Sequence, residues 1–444
     1  MFVTKNSQMS LQNLQQDLVD ATEDQHGHFM WSLRPPVTEE TLQKEKILFN
    51  IQHIYLVNQK SLTTNLTRDS LRNNDLYENF AGKNNETDSV LEMKNLRKFM
   101  QAGDSPLTTV PQDHIEDPCY VYLMGITEEG HAISVEIEDF MPFYTICFNE
   151  NLNFSQYAAM DLHAEIMRKL KLKNEDSIRI EVVHASKGYG FHIDESTHKR
   201  QKYSLVKVYA KNIQLLRKVW HSCIKTYEEW DPELYVSKAS QTTNFMDMAS
   251  LTCCAWASIS REHVEYVPFT RRHTNNQLEY ICHNMNEFVH EDIQEIPSLI
   301  ECCFDIECTS RSFAFPISER DPILSIGLSI SKNGDIVKRI MLYNGQVMNT
   351  NEEIEVICFE EELLLLECFH DLVTVVYDVD FLIAYNGIEF DTKYIIDRYM
   401  LLKGRTESRF PYWSRFISER SEWFSIKVES KAYGTRFHKY FNAV

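Results

Sequence analysis

Leu299-Ile300-Glu301-Cys302-Cys303-Phe304-Asp305-Ile306-Glu307 reads as a buried β-strand with two carboxylates near its end. On a strand, positions i and i+2 share a face, so Asp305 and Glu307 point the same way. Two carboxylates on one face of an apolar strand are costly to bury, and they call for a metal, a partner or a functional reason. Alone the triplet says little: among 65 acidic residues, about ten acid-x-acid triplets arise by chance. Glu136-Ile137-Glu138 and Glu353-Ile354-Glu355 are two such decoys, and a solvated face is the ordinary reading of an isolated triplet.

A second stretch, Tyr385-Asn386-Gly387-Ile388-Glu389-Phe390-Asp391, follows a short apolar strand at Phe381 to Tyr385 and opens a helix over Asp391 to Leu402. Asp391 then sits at a helix N-terminus, where aspartate is commonly only a cap. Between the two stretches, Ile323 to Ser331 and Val337 to Tyr343 read as strands. Phe359 to Val375 reads as a helix with Glu360, Glu361 and Glu362 in its first turn, where the helix dipole favours anions. Strands first, then helix-strand-helix, predict a mixed sheet flanked by helices from residue 297 onward.

Upstream, residues 112–296 predict a compact α+β domain. It has a hairpin turning at Glu129-Gly130, helices near Ser155 to Leu172 and Ile213 to Trp230, and strands near Ile178 to Val183 and Ser204 to Tyr209. Residues 47–111 hold one β-rich strand, Ile47 to Val57, and an Asn-rich insertion or linker, while residues 1–46 read as a polar, disordered arm.

The chain has 444 residues, 43% of them hydrophobic, and a formal charge of -20. That charge is awkward for phosphate contacts, and by itself favours a protein-binding or small-molecule role. Its distribution matters more. Ile300 to Asp391 carries 18 acidic and 5 basic residues, whereas Thr392 to Val444 carries 5 acidic and 11 basic. The acidic half suits a cation site and the basic half can approach phosphates, although a solvated basic face is an equal reading for any one residue. No run resembles a signal peptide or a membrane span. The 11 cysteines include no Cys-x-x-Cys, against a zinc ribbon, and read as reduced thiols.

As an ordered set the motifs resemble the proofreading exonuclease of B-family DNA polymerases of the delta type. The resemblance rests on Asp305-Ile306-Glu307, Phe315-Pro316, Asp321-Pro322 leading into a strand, Glu361-Glu362-Leu363-Leu364, and Tyr385-Asn386 with Phe390-Asp391. Leu123 to Gly130, Phe140 to Tyr144 and Leu234 to Ser237, with Phe245, Met246 and Trp256, are similar to that family's N-terminal domain. The resemblance implies an α+β N-terminal domain followed by an RNase H-like exonuclease domain (α/β, mixed sheet flanked by helices). It implies the N-terminal part of a replicative DNA polymerase, active in DNA replication and 3′→5′ proofreading. A stand-alone RNase H-like nuclease and a non-catalytic relic that binds DNA or a partner are the alternatives.

By the same resemblance, two divalent cations, Mg²⁺ or Mn²⁺, act about 3.5–4 Å apart. Asp305 bridges both, Glu307 binds one and orients the attacking water, and Asp391 holds the other; Asn386 and Phe390 hold and wedge the frayed primer end. The expected partners are a DNA primer-template with a single-stranded 3′ end, the remainder of the polymerase, and a sliding clamp or accessory subunits, with no membrane. The expected location is the nucleus or a cytoplasmic viral replication site, the divergence and the insertion suggesting a large DNA virus. The family also needs a fourth carboxylate in a Tyr-x-x-x-Asp motif, and none follows Asp391 in this chain. The polymerase signatures do not occur either. The expectation is therefore an exonuclease domain truncated before its third motif, and a chain that alone is inactive or nearly so.

Overall fold

The structure, a computed structural model, describes residues 33–57, 115–148, 154–188, 192–235, 239–268, 271–310, 314–348, 351–387, 390–403, 415, 422–430 and 434–442. The Asn-rich insertion expected over 58–111 lies outside these residues.

The polar arm expected over 1–46 is corrected from residue 33 onward. A short helix α1 (Glu39–Gln43), capped by Thr38, leads into the first strand, and Arg34 and Val37 are buried. Composition misled here because Arg34 is buried as an ion pair, not as an apolar group. Strand β1 (Lys46–Val57) pairs antiparallel with β2 (Tyr120–Thr127), which pairs with β3 (Ala132–Ile137). At the β1–β2 contact a Cβ on Gly125 would stand 2.1 Å from the carbonyl oxygen of Asn50, so only glycine lets the two backbones approach.

Next comes a βαββαβ unit. It consists of β4 (Phe143–Cys147), α2 (Gln156–Leu170), β5 (Ile178–Ser186), β6 (Lys202–Ala210), α3 (Ile213–Val219) and β7 (Glu233–Tyr235), in sheet order β5-β6-β4-β7. The helix expected to run to Trp230 ends as an α-helix at Val219. It continues as a π turn, Trp220–Ile224, that keeps Trp220, Cys223 and Ile224 buried. Helix α4 (Gln241–Ala249) and strands β8 (Ala255–Ser260), β9 (Val264–Tyr266), β10 (Leu278–Cys282) and β11 (Val289–Glu291) return to the first sheet. Its order is β11-β8-β1-β2-β3-β10-β9, so β1 lies inside the sheet, between β2 and β8.

The last sheet, β15-β14-β13-β12-β16, is built from β12 (Ile300–Cys308), β13 (Ile323–Lys332), β14 (Asp335–Asn344), β15 (Glu355–Phe359) and β16 (Phe381–Ile383). Burial alternates along β12: Ile300, Cys302, Phe304 and Ile306 face inward, while Cys303, Asp305 and Glu307 are exposed. The buried face packs against α5 (Glu362–Asp371), its π-turn extension Leu372–Val376, and α6 (Asp391–Leu402), around Phe369, Leu365 and Ile395. Strands β17 (Glu422–Ser430) and β18 (Gly434–Asn442) form an antiparallel hairpin. Among the described residues no helix is long and apolar enough to cross a membrane.

Candidate active site

Asp305 and Glu307 share the exposed face of β12, as the period of two requires. Their antiparallel partners on β13 are small: Gly327 stands opposite Asp305 and Ser325 opposite Glu307. A Cβ on Gly327 would meet nothing within 4 Å. The carboxylates therefore look onto open space, not onto a packed neighbour.

Asp391 arrives from the other motif. It is the first residue of α6, only 2% exposed, and its Oδ1 accepts a hydrogen bond from the Ile306 N–H at 3.2 Å. That N–H lies in the chain between Asp305 and Glu307. Burial holds the Asp391 carboxyl above its ordinary range, and the charge of Asp305 pushes it further, against the Ile306 N–H, which lowers it. The thiol of Cys308 is raised to about 12, by burial first and then by the charges of Glu362, Asp391 and Glu307. Asp391 thus feels Asp305, and Cys308 feels both Asp391 and Glu307. Among the described residues, no group of three or more His, Cys, Asp or Glu stands where together they could hold a metal ion.

The turn before α6 has firm local causes. Asn386 adopts a left-handed conformation, φ 58°, which asparagine tolerates better than most residues. A Cβ on Gly387 would lie 2.6 Å from the Ala384 Cβ. The Asn386 carbonyl then accepts from the Phe390 N–H at 3.1 Å, and the Gly387 carbonyl from the Thr392 N–H at 2.8 Å. The Phe390 ring packs against Phe315, centroids 5.1 Å apart, and against Tyr394. Phe315 is 74% exposed and Tyr385 95% exposed, so two aromatic rings face solvent beside the turn.

Three groups stand behind the site, and of them only Glu362 falls in a motif quoted above. Arg398 on α6 forms a buried bidentate pair with Glu362 on α5 and donates to the Ser318 carbonyl at 2.9 Å. Glu362 also accepts from the Ile323 N–H at 2.7 Å. Tyr394 donates to the Asp321 carbonyl at 2.7 Å. These contacts fix α6 against the start of β13. Glu136, the decoy acid, is not solvated: it is buried, and Tyr122 donates to it at 2.5 Å.

Residues 233–443, which include all three carboxylates, match the model of the DNA polymerase family B exonuclease domain. The chain carries a family B DNA polymerase exonuclease domain. Its relatives include the DNA polymerase delta catalytic subunit of Candida albicans, 25% identical over 74% of this chain and 30% of that protein. The Drosophila melanogaster delta catalytic subunit is 25% identical over 76% of this chain and 32% of that one. A DNA polymerase of Acanthamoeba polyphaga mimivirus is 23% identical over 65% of this chain and 17% of its own length. The family B DNA polymerase of Pyrobaculum calidifontis superposes with a TM-score of 0.46 at 17% identity, over 69% of this chain and 32% of its own. The chain thus spans about 30% of the length of the delta-type relatives.

Proposed function

We propose that this family B exonuclease portion works within a replicative DNA polymerase, where Asp305, Glu307 and Asp391 remove nucleotides from a single-stranded 3′ end. The observation that carries the reading is the Asp391–Ile306 hydrogen bond. It brings the helix-borne acid of one motif onto the strand that carries the two acids of the other.

The donor set suits divalent cations. Three carboxylates are hard oxygen ligands of the kind Mg²⁺ and Mn²⁺ accept, and a nearby cation would favour the charged form of Asp391 that burial disfavours. Asp305, Glu307 and Asp391 would hold the ions, which when bound supply an activated water and a stabilised leaving oxygen. The open floor at Gly327 leaves room for a scissile phosphate beside Asp305. Asn386 presents its amide from a fixed turn, and Phe390 offers a ring to an unstacked base. The primer-template, the remainder of the polymerase, a sliding clamp, and a nuclear or viral replication site follow from the same reading.

The test measures Mn²⁺ binding to the 444-residue chain together with release of labelled 3′ nucleotides. Asp305→Ala and Asp391→Ala are each expected to weaken Mn²⁺ binding and to remove any release. Binding indifferent to both substitutions overturns the reading.

A further inference from the structure

Arg34 lies 344 positions from Asp378 in the chain, yet the two are joined in the fold. Its guanidinium Nε meets Asp378 at 2.5 Å and its Nη2 meets Asp380 at 2.6 Å, with the Arg34 side chain 1% exposed. The same guanidinium donates to the Asp378 carbonyl at 3.0 Å and to the Gly130 carbonyl at 3.2 Å. Arg415 closes the group from the other side, 2.9 Å from Asp378 and 2.8 Å from Asp380, and donates to Asn276 at 2.8 Å. Two arginines and two aspartates balance. They join the arm, the β2–β3 turn, the loop before β10, and the start of β16.

The start of β16 is where both acid motifs meet. Asp380 accepts from the Ile300 N–H at 2.8 Å through its side chain, and its own N–H donates to the Ile300 carbonyl at 2.8 Å. Ile300 begins β12, which carries Asp305 and Glu307. Beyond Asp380, β16 pairs with β12 over only three residues, Phe381 to Ile383, before the turn that delivers Asp391. So short an edge strand has little pairing of its own to fix its register. The cluster at Asp378 and Asp380 supplies the anchor, and Arg34 reaches it from a segment remote in sequence.

We infer that Arg34 is a positioning residue for the acid site: through Asp380 it fixes β16 against β12, and so sets Asp391 against Asp305 and Glu307. The inference rests on the exonuclease reading of that site. The guanidinium fork matters, because its N–H groups go in fixed geometry to four acceptors on three residues, which a lysine cannot reproduce.

The experiment compares the full chain with Arg34→Met, Arg34→Lys and Phe245→Leu. The last removes packing from a buried ring of the first sheet's core and serves as a control of reduced stability. Arg34→Met is expected to weaken Mn²⁺ binding roughly tenfold, as loss of an outer support of a metal site does. It should also speed amide exchange across 300–308 and 381–387. Arg34→Lys should lie between, and carries the test if Arg34→Met does not fold. Phe245→Leu should lower Tm and leave Mn²⁺ affinity and exchange in those segments unchanged. Unchanged Mn²⁺ affinity in both Arg34 variants overturns this inference and leaves the exonuclease reading standing. A wild-type chain without Asp305-dependent Mn²⁺ binding overturns the exonuclease reading instead; amide exchange then decides the coupling, and unchanged protection of 300–308 overturns it.

Discussion

The Oδ1 of Asp391 accepts a hydrogen bond from the backbone N–H of Ile306 at 3.2 Å, so the first residue of a helix is tied to the strand between Asp305 and Glu307. One hydrogen bond does not offset the burial of a carboxylate beside another. The site holds charge that the fold by itself disfavours, as sites for cations commonly do.

That imbalance predicts a stabilising substitution. The Asp391 carboxyl is raised, by burial first, so the folded chain keeps this proton to higher pH than the unfolded chain does. Stability is then lost as pH rises from the ordinary carboxyl value of 3.8 through the raised folded value. Asp391→Asn should therefore raise Tm at neutral pH, with a gain that shrinks as pH falls towards that ordinary value. Added Mn²⁺ should raise the Tm of the wild type more than that of the variant. A variant less stable than wild type at neutral pH without metal contradicts this account.

The Glu362–Arg398 pair predicts non-additivity. Removing one partner leaves a buried charge, at a cost of about 3–5 kcal/mol. Arg398→Met alone should destabilise the exonuclease domain on that scale in urea. Glu362→Leu with Arg398→Met should cost less than the sum of the single changes, although the Ile323 N–H then loses its acceptor. A double-mutant cycle that closes to zero coupling would refute the ion pair.

Asn386 separates turn geometry from substrate contact. Because its φ is 58°, Asn386→Gly should keep the turn within about 1 kcal/mol, whereas Asn386→Val should strain it. If the amide holds a primer end, Asn386→Gly loses affinity for single-stranded 3′ DNA while its urea midpoint hardly moves. Equal affinity for wild type and glycine variant would remove Asn386 from the binding role.

The strand that decides the fold was legible because Ile300, Cys302, Phe304 and Ile306 alternate with polar positions, and that alternation is what burial follows. Asp391 at a helix start was legible from the short apolar strand before its motif and the helical stretch that follows. The helix ending at Val219 was not, because a π turn continues the apolar pattern of an α-helix through Trp220 and Ile224. The supports of the site were hidden for a different reason. Glu362 and Arg398 are 36 positions apart, and Arg34 is 344 from Asp378. Each reads locally as a solvated charge, and only the fold pairs it. The same blindness made residues 33–46 look like a loose arm.

The nuclease activity of the chain gives the last prediction. Asp305, Glu307 and Asp391 are three acids, and no Tyr after Asp391 is followed four positions later by Asp in these 444 residues. Among the described residues no three acids yet stand where they could hold an ion. Losing one transition-state group costs roughly two to three orders of magnitude, so the 444 residues tested by themselves, with three of the four carboxylates that the resemblance implies, should turn over at trace rates. The 444-residue chain with Mn²⁺ is expected to release labelled 3′ nucleotides from single-stranded DNA barely above background. A longer chain that supplies a Tyr-x-x-x-Asp motif should release them readily, and Asp305→Ala in that longer chain should abolish release. Robust turnover by the 444 residues, lost on Asp305→Ala, would mean that another side chain completes the site. Glu362, whose charge acts on Cys308, and Asp321, two residues before β13, would then be the first to replace; Glu362 is already paired with the buried Arg398 and Asp321 with the exposed Arg320, so a catalytic role for either would require that pair to open.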